Sequence, residues 1–230
     1  MVRTQAGNNL RYERKCRIEA TEKQQVLYYI NHHPAFFRPI FQPRQINNIY
    51  FDTQQLQYYK ANQIGIAERK KIRIRWYGTE LGVAQKPQLE IKLKSGLVGD
   101  KLVFPLPAFE LSRQLTTDFF IELATEGQIP DTIMYEMQLL QPVLVNTYQR
   151  TYFQSVDKQF RLTLDEDMAF YHPNYWQNPS LQKPTNLNTF ILELKYLLAA
   201  DKAAAATFQH WPYRLSKNSK YVNGMDWLAK

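Results

Sequence analysis

The stretch K-K-I-R-I-R-W-Y, residues 70–77, alternates strictly between polar and apolar side chains. Because the side chains of a β-strand point alternately to its two faces, the stretch predicts a strand with one apolar and one cationic face. On the cationic face, Arg73 and Arg75 would lie about 7 Å apart and repel each other. A polyanion lying across this face would relieve that repulsion, so the strand indicates an anionic ligand.

Composition and length predict one folded domain with an anionic partner. The chain has 230 residues, of which 44% are hydrophobic and 14% aromatic, as is usual for globular proteins. No repeat or linker divides it, so we expect a single domain over residues 1–230, in which residues 1–9 form a loose polar tail. The net charge of +8 favours nucleic acid, an anionic membrane or a phosphate-rich small molecule, although an ordinary basic protein also fits.

Cysteine usage and hydropathy point to the cytoplasm. The single cysteine, Cys16, excludes an intrachain disulfide and favours a reducing compartment. It shares a strand face with Ile18, which predicts a buried, inert thiol. No apolar run of about 18 residues is present, so we expect a cytoplasmic protein without a transmembrane segment. A membrane-protein partner could still recruit it.

About eight segments read as strands, and most of them carry one charged and one apolar face. Besides the first stretch, they include residues 11–20, 45–52, 88–94, 143–155, 160–167 and 189–197. Amphipathic helices are predicted at residues 107–126 and 131–138, at 201–210, and from Ser219 onwards. The charged faces either look outward from an ordinary core or line a lumen whose outside is covered by helices. The pattern leaves both arrangements open.

Eight short motifs follow one another along nearly the whole chain. They are R-Y-E-R-K at 11–15, Y-F-D-T at 50–53, I-R-I-R-W-Y-G at 72–78, L-E-I-K at 89–92, Y-Q-R-T at 148–151, R-L-T-L-D at 161–165, L-E-L-K-Y at 192–196 and S-K-N-S-K-Y at 216–221. In this order they resemble the VTC domain (polyphosphate polymerase) of the CYTH-like triphosphate tunnel metalloenzyme superfamily. The resemblance implies an α+β fold in which about eight antiparallel strands form a closed β-barrel, the triphosphate tunnel, with a charged lumen and helices packed outside.

Basic side chains are the expected phosphate ligands, because a guanidinium group can donate two parallel hydrogen bonds to phosphate oxygens. The residues carried over from the resemblance are Lys15, Lys60, Arg73, Arg75, Lys92, Tyr148, Arg150, Arg161, Lys217, Ser219 and Lys220. The catalytic residues expected among them, which would stabilise charge during phosphoryl transfer, are Arg73, Arg75, Arg150, Arg161 and Lys220. A solvated strand face is the alternative for each, and it weighs most for Lys60 and Lys92.

Glu193 and Glu13 are the expected metal ligands. A carboxylate among cations would repel phosphate unless a cation bridges them, and Mg²⁺ or Mn²⁺ suits a site of few carboxylates plus phosphate oxygens. An ion pair between Glu193 and Lys195 or an arginine is the alternative, and Glu90 is a third candidate. The wider superfamily begins its first strand with two glutamates. Arg11 departs from that pattern, as in the VTC branch, which weakens the case for the hydrolase and cyclase branches.

The resemblance implies a polyphosphate polymerase-like enzyme that transfers the γ-phosphate of ATP to a growing chain in a basic, metal-dependent tunnel. Its ligands would be ATP, triphosphate or polyphosphate. Hydrolysis of triphosphate or short polyphosphate fits the same residues, because water then replaces the acceptor phosphate. A non-catalytic module that binds polyphosphate or nucleic acid belongs to another class, and glutamates interleaved with the cations argue against nucleic acid. Zinc-type His/Cys spacing, a Walker A loop and a Rossmann fingerprint are absent from the sequence.

Overall fold

A computed structural model describes residues 11–78, 82–95, 98–111, 115–175 and 185–229. Its strands are β1 (Arg11–Glu19), β2 (Arg38–Thr53), β3 (Glu68–Tyr77), β4 (Val83–Ala84), β5 (Gln88–Ser95), β6 (Val98–Pro105), β7 (Phe109–Glu110), β8 (Leu140–Gln154), β9 (Arg161–Tyr171), β10 (Thr185–Leu187) and β11 (Thr189–Leu197). Its α-helices are α1 (Lys23–Asn31), α2 (Gln57–Ile64), α3 (Thr117–Glu126), α4 (Asp131–Met137), α5 (Asp201–Gln209) and α6 (Lys220–Leu228). The predicted α+β class is confirmed, whereas the predicted tail lies outside the described residues. No described helix is long and apolar enough to cross a membrane.

One antiparallel sheet forms the body of the molecule. Its strands follow the order β1-β11-β9-β8-β2-β3-β5-β6, β10 pairs with β9, and β4 and β7 form a separate two-stranded ribbon. β1 and β5 lie near opposite ends of this path, yet Lys92 Nζ on β5 lies 3.3 Å from Glu13 Oε1 on β1. The sheet therefore curls until its two ends face each other across a cavity. Among the described residues, no backbone pairing joins β1 to β6.

The strand predicted first, β3, lies between β2 and β5. Its apolar side chains, Ile72, Ile74 and Trp76, are each 1% exposed and belong to the core on the convex face of the sheet. Its cationic side chains, among them Arg73 and Arg75, point into the cavity on the concave face. Of the two arrangements that the pattern allowed, the structure shows the inward one.

Helices cover the convex face in two places. Over β3 and its neighbours, α3 and α4 bury Phe120 and Met137, and the Phe51 and Phe120 rings meet edge to face at 4.9 Å. Over β1, β9 and β11, α1 and α5 bury a second cluster that includes Cys16. Burial raises the pKa of the Cys16 thiol to about 12, so the prediction of a buried, inert thiol is confirmed.

Helix α6 lies on the concave face instead. Tyr221 stacks on Tyr50 at 5.1 Å and packs in one cluster with Leu144 and Phe170, which share the cavity side of the sheet. A Cβ atom at Gly224 would lie 2.5 Å from Leu144 Cδ2 and 2.7 Å from Phe170 Cδ1, so only glycine allows this approach. The expectation that the helices pack outside is therefore wrong for α6. An amphipathic pattern predicts a buried helix face but does not specify which face of the sheet it covers.

One further expectation needs correction around the convex core. The predicted helix at 107–126 begins only after Thr116, whose side chain accepts a hydrogen bond from the Phe119 N–H at 3.2 Å and caps α3. Before it, Phe109 pairs with Ala84 in the β4–β7 ribbon.

Candidate phosphate-binding cavity

A narrow cavity of about 130 Å³ lies on the concave face of the sheet, next to the beginning of α6. The basic side chains that line it are Lys15, Lys71, Arg73, Arg75, Lys92, Arg150, Lys195 and Lys220. They come from both ends of the sheet, from its centre and from α6, and the curl of the sheet brings them together.

A larger groove of about 420 Å³ lies elsewhere, between α3 and the β4–β7 ribbon. Its polar lining includes Glu110, Glu122 and Glu126, around an apolar floor that includes Phe119 and Leu123. Carboxylates repel phosphate. The smaller, basic cavity is therefore the candidate site for an anionic ligand.

Arg73 and Arg75 are separated by a buried carboxylate. Glu90 Oε2 accepts hydrogen bonds from Arg73 Nε at 2.8 Å and Nη2 at 2.6 Å, and it lies 3.7 Å from Arg75 Nη1. Arg75 also donates to Asn48 Oδ1 at 2.9 Å and to the Tyr148 hydroxyl at 3.1 Å. Burial raises the pKa of Glu90, but the Arg73 and Arg75 charges outweigh it and hold that pKa well below its usual value. The arginines therefore keep a fixed, charged geometry at the cavity wall.

A second anchored pair of cations comes from β8 and α6. Arg150 and Lys220 both donate to the fully buried carboxylate of Asp165, with Arg150 Nη2 at 2.7 Å. Their charged groups lie 5.3 Å and 4.6 Å from the ring centroid of Tyr148. Burial would raise the pKa of Asp165, but the two cations lower it to about 2. Burial also opposes ionisation of Tyr148, and the nearby Arg150 and Arg75 outweigh it and lower its pKa.

Lys71 differs from the other lining cations. Its Nζ donates to Ser219 Oγ at 2.8 Å, and the same hydroxyl accepts from the Val222 N–H at 3.3 Å, which caps α6. Within the described part of the chain, Lys71 makes no ion pair, whereas the seven other lining cations each contact a carboxylate. Burial and the charges of Lys15 and Lys92 lower the pKa of Lys71 to about 7.

The two expected metal ligands meet at a lysine. Lys15 Nζ lies 3.0 Å from Glu13 Oε2 and 3.3 Å from Glu193 Oε2, and Lys195 Nζ lies 2.9 Å from Glu193 Oε1. The ion pair with Lys195 that the sequence left open is therefore present. Burial would raise the pKa of Glu193, but Lys195 and Lys15 hold it well below its usual value. Both carboxylates stay ionised, and the Lys15 ammonium group occupies the position between them.

Carboxylate oxygens are donors that a hard divalent cation accepts, but in the structure lysine ammonium groups contact both Glu13 and Glu193. Thr163 is the cross-strand neighbour of Glu193, and its buried hydroxyl has no hydrogen-bond partner among the described residues. No group of three or more His, Cys, Asp or Glu side chains gathers in the described ranges, so a metal here would rely on Glu13 and Glu193 plus ligand oxygens. Mg²⁺ and Mn²⁺ are commonly held in this way, by one or two carboxylates and phosphate oxygens.

Most residues predicted for the site line this one cavity. Those that do are Glu13, Lys15, Arg73, Arg75, Lys92, Tyr148, Arg150, Glu193, Ser219 and Lys220. Lys60 on α2, Arg161 at the start of β9 and Lys217 before α6 are exposed and are not among its lining residues. The roles of these three residues stay predictions.

Four side chains of the site were not predicted as ligands. Lys71 and Lys195 share strand faces with Arg73 and Glu193, and the period-two pattern could have included them. Asp165 ends the motif R-L-T-L-D and pairs with two cations, Arg150 and Lys220. The uncharged hydroxyl of Tyr50 accepts a hydrogen bond from Arg73 Nη1 at 3.1 Å. The partners of Lys71, Tyr50 and Asp165 lie at least 15 positions away in sequence, so only the folded sheet shows these contacts.

Several solved structures share the fold of this curled antiparallel sheet. The PH1819 protein from Pyrococcus horikoshii OT3 has a TM-score of 0.52 at 14% identity, over 95% of this chain and 100% of its own. HpAC1 from Hippeastrum, described as a putative adenylyl cyclase with a dominant triphosphatase activity, has a TM-score of 0.54 at 13% identity, over 94% and 96%. A putative adenylate cyclase from Bacillus halodurans has a TM-score of 0.51 at 14% identity, over 93% and 97%. At these identities the likeness shows a shared fold.

The sequence itself gives the family. The model of the VTC domain matches residues 10–229, nearly the whole chain. The chain therefore belongs to the VTC domain family. No curated protein matches it in sequence.

Proposed function

We propose that this VTC domain is a polyphosphate polymerase, which transfers the γ-phosphate of ATP to the end of a polyphosphate chain and releases ADP. The terminal phosphate oxygen of the chain attacks the γ-phosphorus in line, and the bond from that phosphorus to the β–γ bridging oxygen breaks. The acceptor oxygen is already deprotonated, so no protein base or nucleophile is needed. The chain grows by one phosphate for each ADP released.

The observation that carries the proposal is the uncompensated positive charge of the cavity. Eight basic side chains line it, and the four carboxylates that pair with them are Glu13, Glu90, Asp165 and Glu193. Four positive charges stay uncompensated when Lys71 is protonated. A phosphate chain carries roughly one negative charge per phosphate, so a segment of about three or four phosphates would neutralise them. Nucleic acid also carries one charge per phosphate, but proteins that bind it usually present exposed basic patches rather than cations paired with buried carboxylates.

Fixed cations are also what phosphoryl transfer requires. The charge of the transition state spreads over the equatorial oxygens of the transferred phosphate, and preorganised donors stabilise it without reorganisation. Arg73, Arg75 and Arg150 are each held by a buried carboxylate, so their guanidinium groups are fixed at the cavity wall. We assign these three residues and Lys220 to catalysis. A divalent metal held by Glu13 and Glu193 would add Lewis-acid stabilisation of phosphate charge.

The contact between Glu13 and Lys92 supports a tunnel rather than an open trough. It bridges β1 and β5 at 3.3 Å, so side chains join the two ends of the curled sheet around the cavity. We propose that this contact completes a closed β-barrel. A closed lumen would keep water from the transferred phosphate and so favour transfer to the chain over hydrolysis.

The test is incubation of the protein with ATP and Mn²⁺, followed by measurement of ADP, free phosphate and long-chain polyphosphate. ADP with polyphosphate supports the polymerase. Free phosphate without chains shows the triphosphatase, in which water is the acceptor. Salt-sensitive binding of polyphosphate without turnover shows a binding module and refutes both enzymes.

A matched pair of variants ties the activity to the cavity. Arg75→Lys keeps the positive charge but loses the planar fork that holds Asn48 and Tyr148, and we expect at least a tenfold lower rate. Lys202→Met removes an exposed cation from α5, on the convex side of the sheet, and should leave the rate unchanged. Equal rates for both variants would show that turnover does not occur in this cavity.

A further inference from the structure

An aromatic and arginine cluster lies at the end of the cavity opposite α6. Along β3, the cavity residues Arg73 and Arg75 are followed on the same face by Tyr77, and along β8, Arg150 is followed by Tyr152. Residues two positions apart in a strand are about 7 Å apart, so both tyrosines lie one step beyond the phosphate-facing arginines. Helix α6 packs near Tyr50 and Leu144, at the other end of the same strands.

β2 runs between these two strands and completes the cluster. The Arg44 guanidinium carbon lies 4.6 Å from the ring centroid of Phe41 and 5.9 Å from those of Tyr77 and Tyr152. Phe41 and Tyr152 meet edge to face at 5.7 Å. We call Phe41, Arg44, Tyr77 and Tyr152 the aromatic platform. Tyr152 also lies 5.8 Å from the Arg150 guanidinium, so the platform is continuous with the phosphate cavity.

The platform is accessible and is not needed to fill the core. Tyr77 is 43% exposed and Phe41 47% exposed, and Arg44 is exposed as well. Within the described part of the chain, Arg44 makes no ion pair, so its N–H groups are available to a ligand. Three aromatic rings around an unpaired guanidinium offer stacking faces and hydrogen-bond donors, which is the chemistry that binds a planar heterocycle with ring nitrogens.

We propose that the aromatic platform binds the nucleobase of a nucleoside triphosphate whose phosphates occupy the basic cavity. The inference rests on the proposed function and assigns the residues that would bind the base of its nucleotide donor. In ATP, one ribose separates the base from the α-phosphate. Tyr77 lies one strand step beyond Arg75, and Tyr152 lies one step beyond Arg150. The stacking groups and the phosphate ligands therefore follow one another in the same order as the base and the phosphates of ATP. The triphosphate then points towards α6.

The experiment compares the affinities of ATP and inorganic triphosphate by titration calorimetry, without a divalent metal so that turnover does not occur. Stacking of one base on an aromatic side chain is worth roughly 1–3 kcal/mol, which corresponds to about 5- to 150-fold in affinity. Tyr77→Ala should therefore weaken ATP binding by about tenfold and leave triphosphate binding unchanged. Tyr77→Phe keeps the ring and should behave as the wild type. Tyr135→Ala removes a tyrosine of α4 that is 68% exposed and serves as the matched control.

A second variant and a second readout keep the test independent of Tyr77 alone. Arg44→Lys keeps the charge but not the planar stacking group, and it should also lower the ratio of ATP to triphosphate affinity. Saturation-transfer NMR on bound ATP should show strong transfer to the adenine protons in the wild type and weak transfer in Tyr77→Ala. ATP affinity that the platform variants leave unchanged, or a parallel loss of both ligands, overturns the platform but leaves the proposed function standing. If neither ATP nor triphosphate binds the wild type, the platform and the proposed function are both overturned.

Discussion

Lys71→Met should stabilise the protein and abolish a proton uptake that accompanies phosphate binding. Lys71 is packed among the like charges of Lys15, Lys92 and Arg73, and its described partner is the uncharged hydroxyl of Ser219. Burial and these charges lower its pKa from 10.5 to about 7. The folded protein therefore holds this ammonium at a free-energy cost, which a bound polyanion would offset.

The magnitude follows from the pKa. Lowering the pKa of Lys71 from 10.5 to about 7 corresponds to a destabilisation of the folded state by at most about 5 kcal/mol. This destabilisation is present in full below pH 7. Between pH 7 and 10.5 the unfolded chain binds this proton and the folded chain does not, so stability rises with pH across this window. Methionine keeps the length of the side chain without its charge. We expect Lys71→Met to be about 2–5 kcal/mol more stable at pH 6 and to lose the part of the rise that Lys71 causes.

Two measurements test this reasoning. Urea unfolding at pH 6, 8 and 10 gives the stability curve of each protein. Calorimetry of triphosphate binding at pH 8.5, in two buffers with different ionisation enthalpies, gives the protons taken up. The wild type should take up about one proton more than Lys71→Met, because phosphate returns the pKa of Lys71 towards its ordinary value. Lys202→Met is the control and should match the wild type.

The reasoning would be refuted by equal proton uptake in the wild type and Lys71→Met. It would also be refuted if Lys71→Met were less stable than the wild type at pH 6. Either result would mean that the Lys71 ammonium is well compensated before a ligand binds.

Two further predictions concern the carboxylates of the cavity. Asp165→Asn leaves Arg150 and Lys220 buried without their counter-charge, and urea unfolding should show a loss of about 3–5 kcal/mol. Because the pKa of Asp165 is lowered to about 2, its contribution to the free energy of unfolding is present above pH 4 and is lost as the pH falls to 2. Asp165→Asn should lack this loss of stability in acid. If the variant and the wild type lose stability equally in acid, the pairing of Asp165 with the two cations is refuted. Glu193→Gln should weaken Mn²⁺ binding by at least tenfold, as measured by electron paramagnetic resonance. Glu122→Gln, in the acidic groove, is the control and should bind Mn²⁺ like the wild type. Equal Mn²⁺ affinities of Glu193→Gln and the wild type would refute the assignment of Glu193 as a metal ligand.

The sequence predicted the strands that build the cavity because each one alternates. Arg73 and Arg75 were assigned to a cationic face from residues 70–77 alone, and the structure places both at the cavity wall. The direction of that face did not follow from alternation, since a strand pattern is the same whether its polar side meets solvent or a lumen. The ordered motifs supplied this direction through the resemblance, and the packing of Ile72 and Trp76 under α3 shows the physical reason.

The residues that the sequence missed depend on contacts between distant elements. Asp165 shares a strand face with Thr163, and nothing nearby in sequence marks it as the partner of Lys220. Likewise, the sequence predicts a helix from Ser219 onwards, but the contact of Ser219 with Lys71 joins residues 148 positions apart. Such pairs form only when the sheet curls and α6 lies on its concave face.

Gly224 sets the distance at which that helix lies. Leu144 and Phe170 occupy the space where its side chain would be, so any larger residue acts as a wedge beneath α6. The wedge would lift the beginning of the helix and carry Ser219 and Lys220 away from the phosphate cavity without altering a single ligand. A variant at this position would fail in a phosphate assay like an active-site variant, although its cause would be purely steric.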